Sequence, residues 1–317
     1  MQIDSHDKFE EELNDFKRNI PEKLLIPTNI NLLIRDAIFD YIVIFFSVLL
    51  YLNTVLFVKF ILILIIVSRL HSFGVIVHDL THLSKNRRNI KLIILEFLVG
   101  YPIGTTINAM RYHHLRHHKD NGMYSDPYFH HFENYKNNNF IVKFLNIMLG
   151  LFLIPSWILR SVFGGFCLFH ENLQILYARI FLEHKGEISK KDLEEVIQCC
   201  RQDIIQFIYL ALLFIIIIKF AGISLFIQLY FVPILITGVI SYYRTMKEHE
   251  YTRVYDRKLS TVINITNDHN TKSFFKFLLA PRNIGYHIAH HLHPHVGYRH
   301  LKKIKDYYLK HNKEIYK

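Results

Sequence analysis

Two apolar blocks limit what this chain can fold into. One runs from Ile38 to Ser68 and the other from Ile204 to Tyr243. A single membrane-spanning helix takes roughly 20 residues, so each block is too long for one such helix and long enough for two short ones. Leu52-Asn53-Thr54 offers a turn in the first block and Ala221-Gly222 one in the second. Backbone polar groups inside a bilayer must be satisfied within their own segment, which makes these blocks helices. The expected fold is all-α and integral to a membrane. Four transmembrane helices form two hairpins, about residues 38–68 and 204–243.

The basic residues give the orientation. Of 317 residues, 51 % are hydrophobic, yet 38 are Lys or Arg and the formal net charge is +11. A soluble globule combines these badly, whereas separate apolar segments and basic loops combine them well. Lys59 and Lys219 are the only Lys or Arg residues inside the two blocks. If each block is a hairpin, the segments before, between and after them share one side, and the positive-inside rule puts that side in the cytoplasm. The expected organisation is a cytoplasmic N-terminal segment (1–37), a membrane body (38–301) whose cytoplasmic helical cap comprises 69–203 and 244–301, and a basic tail (302–317) suited to a membrane surface. The protein is then multi-pass, in a bacterial inner membrane or, in a eukaryote, the endoplasmic reticulum. The charge fits anionic lipid or an acidic protein partner. Nucleic acid is set aside, because no Lys/Arg run is interleaved with exposed aromatics in a polar domain.

Other features exclude more than they assign. Cys167, Cys199 and Cys200 make no disulfide framework and match no zinc spacing, so they read as reduced thiols. Met1 to Arg35 is polar, carries Glu10-Glu11-Glu12, and lacks the pattern of a cleaved signal. Ile90 to Ile107 is apolar but holds Gly100, Pro102 and Gly104. It reads as re-entrant or interfacial, since a full crossing would put His78 and His114 on opposite faces. Phe140 to Phe169, with Pro155, Arg160 and Gly164-Gly165, reads as amphipathic and surface-lying.

Histidine carries the chemistry. His78 and His82 stand at i and i+4, just past the first block. On a helix they point the same way and can grip one ion. His114, His117 and His118 follow at i, i+3 and i+4, and His287, His290 and His291 repeat that spacing. Neighbouring rings that diverge by one helical step suit two metals better than one. His113 belongs around the ligands or at the surface. Glu248-His249 sits at the cytoplasmic mouth of the expected bundle. His130 and His131 follow Asp126-Pro127 in an expected loop, His293 and His295 straddle Pro294, and His6, His71, His170, His184, His269, His300 and His311 have no partner at ligand spacing.

These clusters resemble the three histidine boxes of the membrane fatty acid desaturases. Asp126-Pro127 after the second box, Asn283-x-Gly285-Tyr286 before the third and the run His290-His291-Leu292-His293-Pro294 are also similar. Arg244 to His249 resembles the Arg-x-x-x-Glu-His element of a bacterial-type branch. The likeness covers most of Ser68 to Leu301. It implies a non-haem di-iron centre with two Fe ions, O2 as co-substrate, and His78, His82, His114, His117, His118, His249, His287, His290 and His291 as metal ligands. It further implies a membrane lipid or acyl substrate that acquires a double bond. Asp79, Glu248 and Asp126 are candidates to orient the ligand rings. Gly297 stands where the family often has proline. No His-Pro-Gly-Gly stretch of a fused cytochrome b-type domain occurs, so electrons come from a separate ferredoxin or cytochrome b-type haem protein, for which Arg87, Arg88, Arg111 and Arg116 offer a basic face. A di-iron hydroxylase or ketolase on a carotenoid, sterol or other hydrocarbon would use the same ligands. A non-catalytic metal-binding or transport protein is the rival of another class. Transport calls for ligands at mid-membrane depth, and the two apolar blocks hold no histidine.

Overall fold

A computed structural model of the chain describes residues 5–83, 89–128, 140–250, 252–269, 271–272, 274–311 and 316. The described residues are all helix and connection. α1 (Ser5–Arg18) precedes α2 (Ile30–Leu52) and α3 (Leu56–Thr81). Asn29 starts α2 by accepting from the Asn31 N–H, and Asn53 ends it. α2 then packs along α3.

α4 (Ile90–Leu95) runs through a π turn (Glu96–Gly100) and a 3-10 turn (Tyr101–Ile103) into α5 (Ile107–Asp120). The two parts meet at 80°. Gly104, at φ 74°, makes the corner, and a Cβ there would come within 2.5 Å of Ile158. Buried Glu96 fixes the start of α5 by accepting from the Ile107 N–H at 2.7 Å, an anion at a helix N-terminus. The interruption read from Gly100, Pro102 and Gly104 is thus a sharp bend.

α6 (Phe140–Met148), α7 (Gly150–Cys167) and α8 (Glu171–Phe181) follow, then α9 (Lys190–Phe226) and α10 (Val232–Glu248). α9 opens with a capping box between Ser189 and Asp192. Gly222, at φ 83° and ψ 159°, breaks it at the expected turn. α7 packs against both α9 and α10. Gly150 meets Gly238 of α10 so closely that a Cβ on Gly238 would lie 2.3 Å from the Gly150 carbonyl oxygen. Arg160, a mark of a wet surface in the sequence, is fully buried and paired to Asp203 of α9 at 3.0 Å. Leu56–Thr81, Phe140–Cys167 and the broken run Lys190–Glu248 are long and apolar enough to cross a membrane, and the bent pair is a fourth candidate. Many of their apolar side chains, among them Phe57, Phe152, Ile215 and Phe220, are exposed.

α11 (Leu259–Asn264), α12 (Lys276–Leu279), α13 (His287–Leu292) and α14 (Leu301–His311) complete the chain. A charged network seats them. Buried Asp40 of α2 accepts from Arg69 at 3.0 Å, Ser72 at 2.7 Å and Arg282 at 2.6 Å. Arg282 and Asn283, at φ 54° and 62°, turn the chain into α13. α14 packs on α13, and His293 Nε2 lies 2.8 Å from the Tyr308 hydroxyl. Phe16 of α1 stacks on Tyr307. The C-terminal segment therefore turns Leu301, Ile304 and Tyr308 into the core.

Candidate metal centre

Four segments deliver the site. The C-terminal turn of α3 brings His78 and His82, α5 brings His114, His117 and His118, the end of α10 brings His249, and α13 brings His287, His290 and His291. They converge as two groups. In one, ring nitrogens of His78, His82, His114 and His290 all lie within 4.8 Å of one another; in the other, those of His117, His249, His287 and His291 do. His118 borders the first group, with Nε2 2.9 Å from the Nε2 atoms of both His114 and His290. Its ring also stacks on His291 at 4.3 Å.

The spacing tests whether metal fits. His82 and His114 bring Nε2 atoms to 3.0 Å, His117 and His249 to 3.1 Å, and His287 and His249 to 3.0 Å. Nitrogens bound at about 2.1 Å to one ion, at right angles to each other, are separated by about 3.0 Å. The rings must also be neutral. Burial pushes His82 down to about 4, with Arg111 adding to it. Burial and the neighbouring histidines hold His249, His287 and His290 well below the ordinary imidazole range. Buried, unprotonated and convergent imidazoles are what a transition metal binds.

The surroundings orient the rings. His117 Nδ1 lies 3.0 Å from Asp126, whose carboxylate also accepts from the Gly122 and Tyr128 N–H groups. Glu248 lies 3.6 Å from His287 Nδ1 and is held by Arg244 at 3.2 Å and His269 at 3.1 Å. Asp79 does not serve a ligand ring. It accepts from Thr28 at 2.6 Å and fastens the N-terminal segment to α3. His269 had no partner at ligand spacing in the sequence, because its partner Glu248 is 21 residues away.

Two further expectations change. Arg111 is buried and donates to the carbonyls of Thr81, Leu80 and Leu83. Arg116 lies over the Tyr112 ring and pairs with Asp192 and Glu195. Neither is free to form a basic docking face, and Arg87 and Arg88 lie outside the described residues, as do His130 and His131. His113 is not at the surface. It is buried beside Tyr128 and Trp157.

A cavity of about 150 Å³ reaches His78 between α3, α5, α7 and α10. Leu70, Ile103, Met110, Ile154 and Trp157 line it with apolar surface, and His71, His113, Glu183 and Arg244 add polar groups.

The sequence model of one family, Fatty acid desaturase, matches residues 52–316. The chain belongs to the fatty acid desaturase family. It is accordingly an oxidoreductase, and the family's usual di-iron chemistry suits the two histidine groups. A comparison with curated proteins finds no match. The match extends through α14, which packs on α13 and its three histidines.

Proposed function

We propose that the protein is an oxygen-dependent membrane desaturase that places a double bond in a fatty acyl chain or acyl lipid. The observation that carries this reading is the pair of adjoining four-histidine groups, one of which opens through His78 onto an apolar cavity. His78, His82, His114 and His290, with His118, would hold one iron, and His117, His249, His287 and His291 the other. Two irons held there supply oxygen activation and the removal of hydrogen from an unactivated C–H bond. The protein's own part is positioning. Asp126 keeps the His117 proton on Nδ1 and aims Nε2 inward. Glu248 places its carboxylate 3.6 Å from His287 Nδ1. Leu70, Ile103, Met110 and Ile154 enclose an alkyl chain beside His78 and exclude water.

A parity argument supports two crossing hairpins under a cytoplasmic cap. His82 and His114 are neighbours, so the chain between them crosses the bilayer an even number of times. The same holds between His117 and His249. The two legs of Lys190–Glu248 account for that pair of crossings, leaving α4 to return on its own side and α6–α7 to lie in the bilayer without crossing. The Lys and Arg outside the apolar blocks favour the cytoplasm for the site. Residues 1–37 and 302–317 then lie on that same side, and electrons arrive there from a separate ferredoxin or cytochrome b-type haem protein.

The test is mass spectrometry of total lipids from cells expressing the wild type or His117→Ala with a compatible electron donor. Acyl chains lighter by two hydrogens in the wild type alone are expected. A gain of one oxygen instead would make the enzyme a hydroxylase, and unchanged lipids would overturn the reading.

A further inference from the structure

The cavity is poorly matched to a plain hydrocarbon. His71 stands seven residues before His78 on α3, two helical turns and about 10 Å away along the helix. Gly74 lies between them and faces the same cavity. His71 Nδ1 is 2.8 Å from the carbonyl oxygen of Leu278, so Nδ1 carries the proton and donates it. That leaves Nε2 as a lone pair, and it is buried with no partner among the described residues. His113 also lines the cavity, from α5, and its buried Nδ1 is likewise unpartnered. A chain made only of methylenes would seal both nitrogens from water and give them nothing. A buried polar atom left without a partner forfeits the hydrogen bonds that it made to water.

We infer that the substrate carries a hydrogen-bond donor, a hydroxyl or an amide N–H, set back along the chain from the carbon attacked, and that His71 Nε2 receives it. This rests on the desaturase reading for the identity of the cavity. The substrate class becomes a hydroxylated acyl chain or an N-acyl amide, whose alkyl part lies along Ile103 and Ile154. His113 is a second polar contact, and Gly74 leaves room for the chain between His71 and His78. His71 is thus a specificity-determining residue that binds substrate and no metal.

The chain carries one tryptophan, Trp157, and it lines this cavity. Its fluorescence reports occupancy without metal or turnover. The experiment titrates the full metal-free protein in lipid nanodiscs with N-methyldecanamide and, in parallel, methyl decanoate, which matches it but lacks the N–H. The amide is expected to bind at least tenfold more tightly. His71→Phe should bring the two to parity by weakening the amide alone, and His113→Phe, which keeps the ring contacts, should narrow the gap. Equal affinity of both probes for the wild type would overturn the inference, as would an unchanged preference in His71→Phe. Binding of neither probe would overturn it too. The desaturase reading stands or falls separately, on the lipid masses above.

Discussion

His118 and His290, 172 residues apart in the chain, bring their Nε2 atoms to 2.9 Å from each other. His118 reaches His114 at the same distance and stacks on His291 of the other group. It occupies the seam between the two groups. Replacing it with Gln should lower the affinity for iron at least tenfold without loss of helix. Chelator titration followed by metal analysis measures this, and an unchanged iron load at every chelator concentration would remove His118 from the ligand set.

Asp126 offers a milder perturbation. Its carboxylate fixes the His117 ring and two backbone N–H groups. Loss of such a partner to a ligand histidine typically costs about 10–100-fold in metal affinity or activity. Asp126→Asn should fall in that range while Asp79→Asn, whose contacts are Thr28 and the backbone at Tyr298, retains its iron. Equal iron contents in the two variants would show that ring orientation is not the role of Asp126.

Metal should stabilise the fold as well as catalyse. A ligand that binds only the folded state adds about 2.7 kcal/mol at 100 times its dissociation constant. Stripping the solubilised protein with chelator should therefore lower its Tm, and re-addition of ferrous iron should restore it. In His117→Ala the chelator-sensitive part of Tm should shrink. An identical Tm with and without metal in the wild type would contradict a site built from four separate segments.

The Asp40 network predicts a large structural effect remote from the histidines. Asp40 is fully buried and neutralised by Arg69 and Arg282. Removing one side of a buried ion pair costs about 3–5 kcal/mol. Asp40→Ala should be destabilised by that order, and Asp40→Ala with Arg282→Met should recover part of it. Denaturant or thermal unfolding in detergent checks both, and a near-neutral Asp40→Ala would show that the network is dispensable.

Asp192 sets a pH dependence. Partial burial acts to raise its carboxyl, but hydrogen bonds from Ser189 and from Arg116 overcome this and hold it at about 2. Its folded pKa is thus below the ordinary value of 3.8, and the unfolded state takes up the proton first. The contribution is fully present above that ordinary value and is lost as pH falls towards 2. The Tm gap between wild type and Asp192→Asn should be constant at about pH 5 to 7, narrow as pH falls below about 4, and close only below about pH 2. A gap at about pH 1.5 as wide as the one at about pH 6 would mean the cap acts without its charge.

Sequence reasoning reached the histidines because helical spacing is local. His114, His117 and His118 must share a face wherever α5 lies. His249 was reachable through its place at the end of an apolar block and through the Arg-x-x-x-Glu-His element. What escaped were roles set by contacts distant in the chain. Arg160 looked like a surface marker until Asp203 neutralised it, and Arg111 and Arg116 looked free until carbonyls and acids claimed them. Asp79 neighbours a box histidine in sequence yet points to Thr28. His71 had no partner at ligand spacing, although a signal existed. His71, Gly74 and His78 recur at intervals of three and four on an otherwise apolar helix, which places them on one face.

The distribution of the histidines over four segments also orders the making of the protein. When synthesis has passed α5, only His78, His82 and His114 of the first group exist, and His290 is still 172 residues beyond His118. The second group is represented by His117 alone until α10 has been made, and α13 supplies the last members of both. Neither group can be complete on a nascent chain that has only just entered the membrane. Any metal held by all four members of a group would therefore be loaded late in biogenesis, and a chain truncated before His287 would be unable to complete either group.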